Sequence, residues 1–550
     1  MSTGDPPAAQ GAATRSEVLE SVFAALGDGD MAEARRLSVC ALAGGIEHPV
    51  LLNLRSLDFE EAGRFNDALR DLRRAHVLAP TDPTILNACG LCLMRMERWE
   101  EARRCYDQAL ALKPDFGQAW FNRGYVLERV GETGEAAGSY AKAAEIHPQN
   151  VQAWANAATL AARRGSADKT RLYANRALAL QPGHPTAVLA LTAIEKDDLE
   201  DAERRLRSLL KQELGDFDRA IAFGQLGDVL DARDQAPDAF DAYAAGNRIF
   251  RAALAPRFAA PGMETVPDVL RWLNLWAEIF ERSNWVVDPD QTTEAEGVRG
   301  HVFLTGFPRS GTTLMESFLA NHPDVVSLEE RDTLRQAILA FLGGSRGLTR
   351  LAGATGPELR SLREDYWARV RSFGVEPTGK IFIDKNPFNT LKLPLIKKLF
   401  PGAKIIFAQR DPREVVLSCF RRRFNFNAST FVFLDLRAAA ENYDGTMRLA
   451  QLLRDKLGFD EFVLVYEKLI ADFPNVARAA CEFIGVEWRA EYADFAGRAR
   501  RGEVASASSA QIARGLYTEG TAHWRRYRAQ MAPVLPILAP WVEKFGYPAD

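Results

Sequence analysis

Eight residues, Gly306-Phe-Pro-Arg-Ser-Gly-Thr-Thr313, follow the short apolar run HVFLT (301–305) and precede a helical segment, LMESFLAN. A strand, a glycine-containing turn and a helix N-terminus together make an anion site. Backbone N–H groups point at the ligand, and the helix dipole favours negative charge. Gly306 and Gly311 have the separation of a Walker A loop, but Thr312 stands where that loop needs lysine. A nucleotide triphosphatase or a kinase uses that lysine with Mg²⁺ to offset the charges on the β- and γ-phosphates. No Walker B acid is evident, and the loop carries Arg309 instead. The fitting ligand is a phosphate bearing a group of lower charge, held without a metal. A sulfuryl group on an adenylate meets that description. The bland alternative is a degenerate loop in a domain without catalysis.

The elements that must position these residues read as alternating strands and helices. HVFLT (301–305), KIFID (380–384), KIIFAQ (404–409) and EFVLVY (461–466) are apolar runs without a two-residue period. Buried parallel strands read that way, and helical patterns lie between them, so a βαβ sandwich around a parallel sheet is expected. Lys385 follows the second run and Arg410 the third. Both therefore belong to the carboxyl edge of the sheet, where open α/β folds bind ligands. An arginine fork can bond two oxygens of a terminal phosphate at once.

The upstream half is different. Pro80, Pro114, Pro148 and Pro182 are each 34 residues apart. Ala75, Ala109, Ala143 and Ala177 keep the same phase, as do Ala68, Ala102, Ala136 and Thr170, the pairs Gly90/Gly124 and Trp120/Trp154, and Tyr106/Tyr140. Small residues let antiparallel helices approach, aromatic rings fill the gaps, and proline ends the second helix. This resembles the tetratricopeptide repeat. The phase continues weakly at Ala34 and Ala41 upstream and at Gly227, Ala239 and Tyr243 downstream, giving roughly seven helical hairpins between Ser16 and Ala253. The resemblance implies a right-handed superhelix whose concave face binds a peptide or partner protein. A scaffold for the second domain, or self-association into a homodimer, is the equal alternative. Cys89 and Cys92 form a CxxC, but no second pair lies nearby, so buried structural thiols are expected rather than a zinc or redox site.

Of 550 residues, 47% are hydrophobic and 26% charged, the balance of a globular chain. The net charge of −4 gives no overall basic field for nucleic acid or acidic membranes, and six cysteines make no disulfide framework. Residues 1–15 read as a disordered tail without the apolar core of a signal peptide, and no run approaches the ~20 apolar residues of a membrane span, so a cytoplasmic location is expected. The expected domains are repeats at 16–253, a proline-marked linker and docking helix with Trp272 and Trp276 at 254–298, and the α/β domain at 299–550.

PRSGTT after a strand resembles the 5′-phosphosulfate loop of sulfotransferases that use 3′-phosphoadenylyl sulfate (PAPS), and residues from about 300 to 548 resemble the protein-tyrosine sulfotransferase branch. The fold class is then an all-α tetratricopeptide solenoid followed by an α/β, P-loop-like sulfotransferase domain with a central parallel sheet. The resemblance implies that Arg309 contacts the sulfuryl oxygens while Ser310, Gly311, Thr312 and Thr313 cradle the 5′-phosphate. It implies that Glu330 is the catalytic base, that Lys385 supports the leaving oxygen, and that Arg410, Ser418 and Arg422 hold the 3′-phosphate. Tyr466 would contact PAPS, and Ser508 would open a cofactor-closing loop, SSAQIARGLY, that also carries Arg514. His523 stands where the family has a cofactor-binding lysine, and it can still donate to phosphate. No metal is implied, and PAP is the product. Ser327 and Ile383 replace the cysteines of a disulfide found in the animal enzymes. Asp332 replaces an arginine that the family uses on its substrate, which removes a charge that would attract acidic peptides.

The chemistry agrees with those assignments. A tyrosine hydroxyl ionises near pH ~10, so a carboxylate beside it has to take its proton during attack. In-line transfer builds charge on the bridging oxygen, and a fixed lysine and arginine stabilise that charge. Bland readings stay open for several residues: Glu329 or Glu330 as a solvated acid, His322 as the end of the loop helix, Arg421 to Arg423 as an exposed basic face, and Asp411 with Arg413 as a structural pair. The expected activity is sulfuryl transfer to a hydroxyl, with protein tyrosine as the named acceptor and the repeats recruiting it. A glycan, lipid or small-alcohol acceptor is the first alternative, and a repeat scaffold with a vestigial loop domain the second.

Overall fold

The 34-residue beat becomes pairs of antiparallel helices in the computed structural model, which describes residues 14–258, 266–282, 297–342, 346–424, 426–493 and 521–549. The chain divides into two compact units, Met1–Ile194 and Glu195–Asp550.

In the first unit, helices end at Leu78, Leu112, Ile146 and Leu180, and the four phased prolines stand two positions beyond each end. Ala68, Ala102, Ala136 and Thr170 are completely buried between paired helices. Gly90 is needed because a Cβ there would lie 2.6 Å from the Tyr106 ring, and at Gly124 a Cβ would meet Tyr140 at 2.9 Å. Trp120 and Trp154 repeat one contact, each indole N–H donating to the carbonyl of the preceding phased proline, Pro114 or Pro148, at 2.8 and 3.0 Å. The sequence period is thus a period of contacts. Cys89 and Cys92 are buried in the Pro83–Arg95 helix, and burial pushes both thiols up to about 12. Burial thus disfavours the thiolate at both positions.

The second unit begins with the helices Leu199–Leu210, Asp216–Ala232, Ala236–Phe258 and Val266–Arg282. Gly227 under Tyr243 repeats the glycine–tyrosine contact: a Cβ there would lie 2.5 Å from the ring. Among the described side chains of the last of these helices, Leu273 and Phe280 are buried, while Trp272 and Trp276 are half-buried.

The sheet follows: β1 (Gly300–Gly306), β2 (Val325–Glu329), β3 (Ile381–Lys385), β4 (Lys404–Gln409) and β5 (Glu461–Val465), all parallel, in the order β2-β3-β1-β4-β5. Four of these strands are the apolar runs. The fifth, β2, lies at one edge, has the mixed sequence VVSLE and buries two of its five residues. Leu304, Ile383, Ile406 and Leu464 from four strands pack with Met315, Phe318, Leu469 and Ile484 in one core. Each such buried side chain contributes ~1.5–3 kcal/mol. Asp384 is buried too, but Thr333, Tyr366 and Asn389 donate to it at 2.7, 2.9 and 3.1 Å. Its satisfied carboxylate fixes the end of β3, where Lys385 stands.

Candidate active site at the carboxyl edge of the sheet

Because all five strands run the same way, their carboxyl ends line one edge. The β1 strand delivers the loop, β2 delivers Glu329 and Glu330, β3 delivers Lys385, β4 delivers Arg410, and β5 delivers Tyr466. The register pairs Lys385 with Leu304 of β1 on one side and Glu329 of β2 on the other.

The loop is shaped by backbone that few residues adopt. Gly306 has φ +151°, and a Cβ there would sit 2.5 Å from the Ala408 carbonyl oxygen; its N–H donates to Thr390 Oγ1 at 2.9 Å. Gly311 has φ +99° and caps the loop helix, Thr312–Leu319. A Cβ on Gly311 would meet the Tyr466 ring at 2.6 Å. Ser310, Thr312 and Thr313 are buried beside it, where the first N–H groups of the helix have no intrahelical acceptor. Arg309 has φ +72°; its Nε donates to Ser418 Oγ at 3.0 Å, and its carbonyl accepts from Arg410 Nη1 at 3.0 Å. The Arg410 guanidinium lies 4.4 Å from the centre of the Tyr466 ring. Arg309, Gly311, Arg410, Ser418 and Tyr466, which come from four parts of the chain, are therefore one cluster. Two guanidinium groups, a hydroxyl, an aromatic ring and a helix N-terminus are the donor set of a site for an anionic nucleotide. Asp411 and Arg413 pair with each other, at 2.9 and 2.7 Å, and shape the turn after β4.

Lys385 is fully buried and surrounded by acids. Its Nζ lies 2.8 Å from Glu330 Oε1, 3.1 Å from Glu329 Oε1 and 3.4 Å from Glu316 Oε2. Burial pulls the ammonium down, but the three carboxylates outweigh it and hold the lysine well above its ordinary value. Glu316 moves the other way from an ordinary acid. Burial pushes it up to about 7, with Lys385 opposing and Glu329 adding to the rise. The backbone of Glu330 is left-handed, φ +47°, and its N–H donates to the Lys385 carbonyl at 2.8 Å. Among the described residues five non-glycine residues have positive φ, and two of them are Arg309 and Glu330. Such backbone persists where its surroundings over-determine it, and it gathers at working sites.

Glu316 is absent from the sequence expectations. Its signal was available: a lone acid in the apolar LMESFL stretch, one turn after Thr312. In a helix buried on every side, such an acid needs a partner.

Arg422 and His523 meet the Asp216–Ala232 helix. Arg422 Nη1 is 3.7 Å from Asp228 Oδ1. His523 Nδ1 accepts from Arg421 at 2.8 Å, and Nε2–H donates to Asp231 Oδ1 at 3.1 Å, the tautomer both neighbours require. Asp231 also pairs with Arg421 and Arg526 and accepts from the Tyr527 hydroxyl at 2.6 Å. Burial works against its charge, but His523, Arg421 and Tyr527 prevail and hold the carboxyl well below the usual range. Of the basic run, Arg421 is thus a half-buried, paired group rather than an exposed charge. His322 lies past the loop helix, and its Nδ1 accepts from the Asp324 N–H at 3.0 Å. Ser508 and Arg514 lie outside the described residues.

Residues 301–490 match the sulfotransferase family. Residues 87–151 match the tetratricopeptide repeat. A protein-tyrosine sulfotransferase of Drosophila melanogaster is 26% identical over 269 residues, which cover 45% of this chain and 53% of that one. Protein-tyrosine sulfotransferase 1 of Homo sapiens is 32% identical over 127 residues, 22% of this chain and 34% of its own. An uncharacterized protein of Aquifex aeolicus is 27% identical over 290 residues, 50% of this chain and 38% of its own. The chain thus spans about half, or less, of the length of these relatives. Among solved structures, MamA covers 29% of this chain at 22% identity and a TM-score of 0.26, with 94% of MamA aligned. YrrB, described as a tetratricopeptide protein, covers 32% at 19% identity and a TM-score of 0.29, with 91% of YrrB aligned. Among the described residues no helix is long and apolar enough to cross a membrane.

Proposed function

We propose that the chain is a PAPS-dependent sulfotransferase that moves a sulfuryl group to an acceptor hydroxyl, with residues 299–550 as the catalytic domain and the repeats of 16–253 recruiting a protein partner or substrate. The observation that carries this is the meeting, at one sheet edge, of a lysine-free phosphate loop holding Arg309 with a buried lysine whose most exposed partner is the carboxylate of Glu330.

When bound, PAPS supplies an activated sulfuryl group on a phosphate. Ser310 and the N–H groups of Gly311, Thr312 and Thr313 would hold its 5′-phosphate, the Ser310 N–H itself donating to the Phe307 carbonyl, and Arg410 with Ser418 would hold the 3′-phosphate. Tyr466, already packed beneath Arg410 and against Gly311, offers a face to the nucleotide. By resemblance Arg422 is assigned to the 3′-phosphate and His523 to the cofactor, and Asp228 and Asp231 lie beside their side chains. Glu330 accepts the acceptor's proton as the new oxygen–sulfur bond forms. Lys385 and Arg309 would stabilise the charge left on the bridging phosphate oxygen as the sulfuryl group departs from it. Ser508 and Arg514 complete the assignment. Protein tyrosine is the acceptor in the relatives' names. Here Asp332 stands two residues after Glu330, where the resemblance expects a substrate-binding arginine, so an acceptor flanked by acids would lose that attraction.

The test is calorimetry with PAP and with Mg·ATP, followed by transfer of labelled sulfate from PAPS into cell extract, with the label then sorted among protein, lipid and sugar. Micromolar PAP binding with labelled product supports the reading. Tight Mg·ATP uptake with indifference to PAP refutes it.

A further inference from the structure

An ammonium has three N–H bonds. Lys385 Nζ has three carboxylates around it, and they are not equivalent. The Glu330 side chain is 47% exposed, that of Glu329 19% and that of Glu316 8%. An acceptor arriving from solvent therefore reaches Glu330. To take a proton, Glu330 has to turn an oxygen away from Nζ. The lysine then keeps two partners, both on rigid elements. Glu329 is the last residue of β2, and Glu316 lies one turn into the helix that the phosphate loop begins.

We propose that Glu316 is a positioning residue: with Glu329 it anchors the Lys385 ammonium at the sheet edge while Glu330 serves the acceptor. The inference rests on the sulfuryl-transfer reading above. A lysine left with one partner would follow Glu330 toward solvent and leave the bridging oxygen uncovered. Because Glu316 grows from the loop helix, it also ties the position of Lys385 to the position of the phosphate cradle. The charged groups facing it are Lys385 from β3 and Glu329 at the end of β2, and Ser327 of β2 donates to it. Its carboxyl has to be ionised to anchor the lysine, and burial places that ionisation near neutrality.

The test uses the full chain, Glu316→Gln and Glu316→Asp. The wild type is expected to lose kcat as pH falls through neutrality. Glu316→Gln is expected to lack that acid limb and to run about tenfold slower on the alkaline plateau, with PAP affinity by calorimetry held within about twofold. Glu316→Asp, which keeps the charge, restores the limb. In ligand-free protein, infrared titration should show a carboxylic acid C=O band that the wild type loses across neutral pH and that Glu316→Gln lacks. The inference fails if Glu316→Gln keeps both rate and limb, or if it loses rate while the limb and the band stay. Should Glu316→Gln not fold, Glu316→Asp and the wild-type band decide. A wild type that neither binds PAP nor transfers sulfate overturns the sulfuryl-transfer reading itself, which separates that failure from this one.

Discussion

Replacing Lys385 with methionine keeps much of the side chain's volume and removes the ammonium, so three carboxylates lose the charge they share. Removing one partner of a buried ion pair costs ~3–5 kcal/mol, because the other charge stays buried without compensation. Glu316 and Glu329, at 8% and 19% exposure, supply most of that cost, while Glu330, at 47%, is screened by water. The cost depends on pH in a definite direction. Burial has raised Glu316 to about 7 even against the lysine, so without the lysine it rises further. A carboxyl raised in the folded state keeps a proton that the unfolded chain has already released. Stability therefore falls as pH climbs from the ordinary carboxyl range, ~4.3, through the folded value. At pH 5 Glu316 is protonated in both proteins, and Lys385→Met should cost little beyond the pairs with Glu329 and Glu330. At pH 8 the loss should reach ~3 kcal/mol or more. Urea denaturation followed by tryptophan fluorescence, at several values between pH 5 and 8, measures this as a shift in midpoint at constant slope. A penalty of equal size at pH 5 and pH 8, or one below ~1 kcal/mol at pH 8, would refute the idea that the ammonium holds these acids together.

Glu330→Ala should lower kcat by ~10²–10⁴ while leaving PAP affinity by calorimetry nearly unchanged, since a base acts on the acceptor and not on the cofactor. Gly311→Ala forces a side chain into φ +99° and onto the Tyr466 ring, so it should cost ~1–3 kcal/mol in strain and abolish measurable PAP binding. Asp231→Ala strips the buried partner of Arg421 and His523 and should lower unfolding stability by ~3–5 kcal/mol, with Arg421→Met recovering part of the loss in the double variant.

The parts of this molecule that were legible in the sequence are those written in local spacing. The 34-residue period predicted helix pairs because each phased residue repeats one contact, as the Trp120 and Trp154 indoles do. The loop was legible because a strand, its glycines and a helix start are contiguous. Four strands showed as apolar runs, whereas β2 did not; its edge position is not the reason, since β5, the other edge, still reads as an apolar run, and it is Ser327 and Glu329 that break the apolar pattern of VVSLE. Asp231 and Arg421 were out of reach for a different reason. Each looks like an ordinary surface charge in its own helix, and only the packing of the second unit makes them partners.

Lys385 shows how the two kinds of information combine. Its place at a strand end was readable, but its charge environment was not, because that depends on strand order. The β3 strand enters the sheet between β2 and β1, so the lysine arrives with the acids of β2 on one side and the loop of β1 on the other. Those two flanking strands are the ones that end in left-handed, non-glycine backbone, at Glu330 directly after β2 and at Arg309 within the loop after β1. Local preference alone would put glycine or asparagine at both positions. A sequence that breaks a local rule twice, on the two strands that flank a buried lysine, is specifying where an arginine and a glutamate must stand relative to that lysine. The rule-breaking positions are therefore where a reading based on spacing should stop and one based on chemistry should begin.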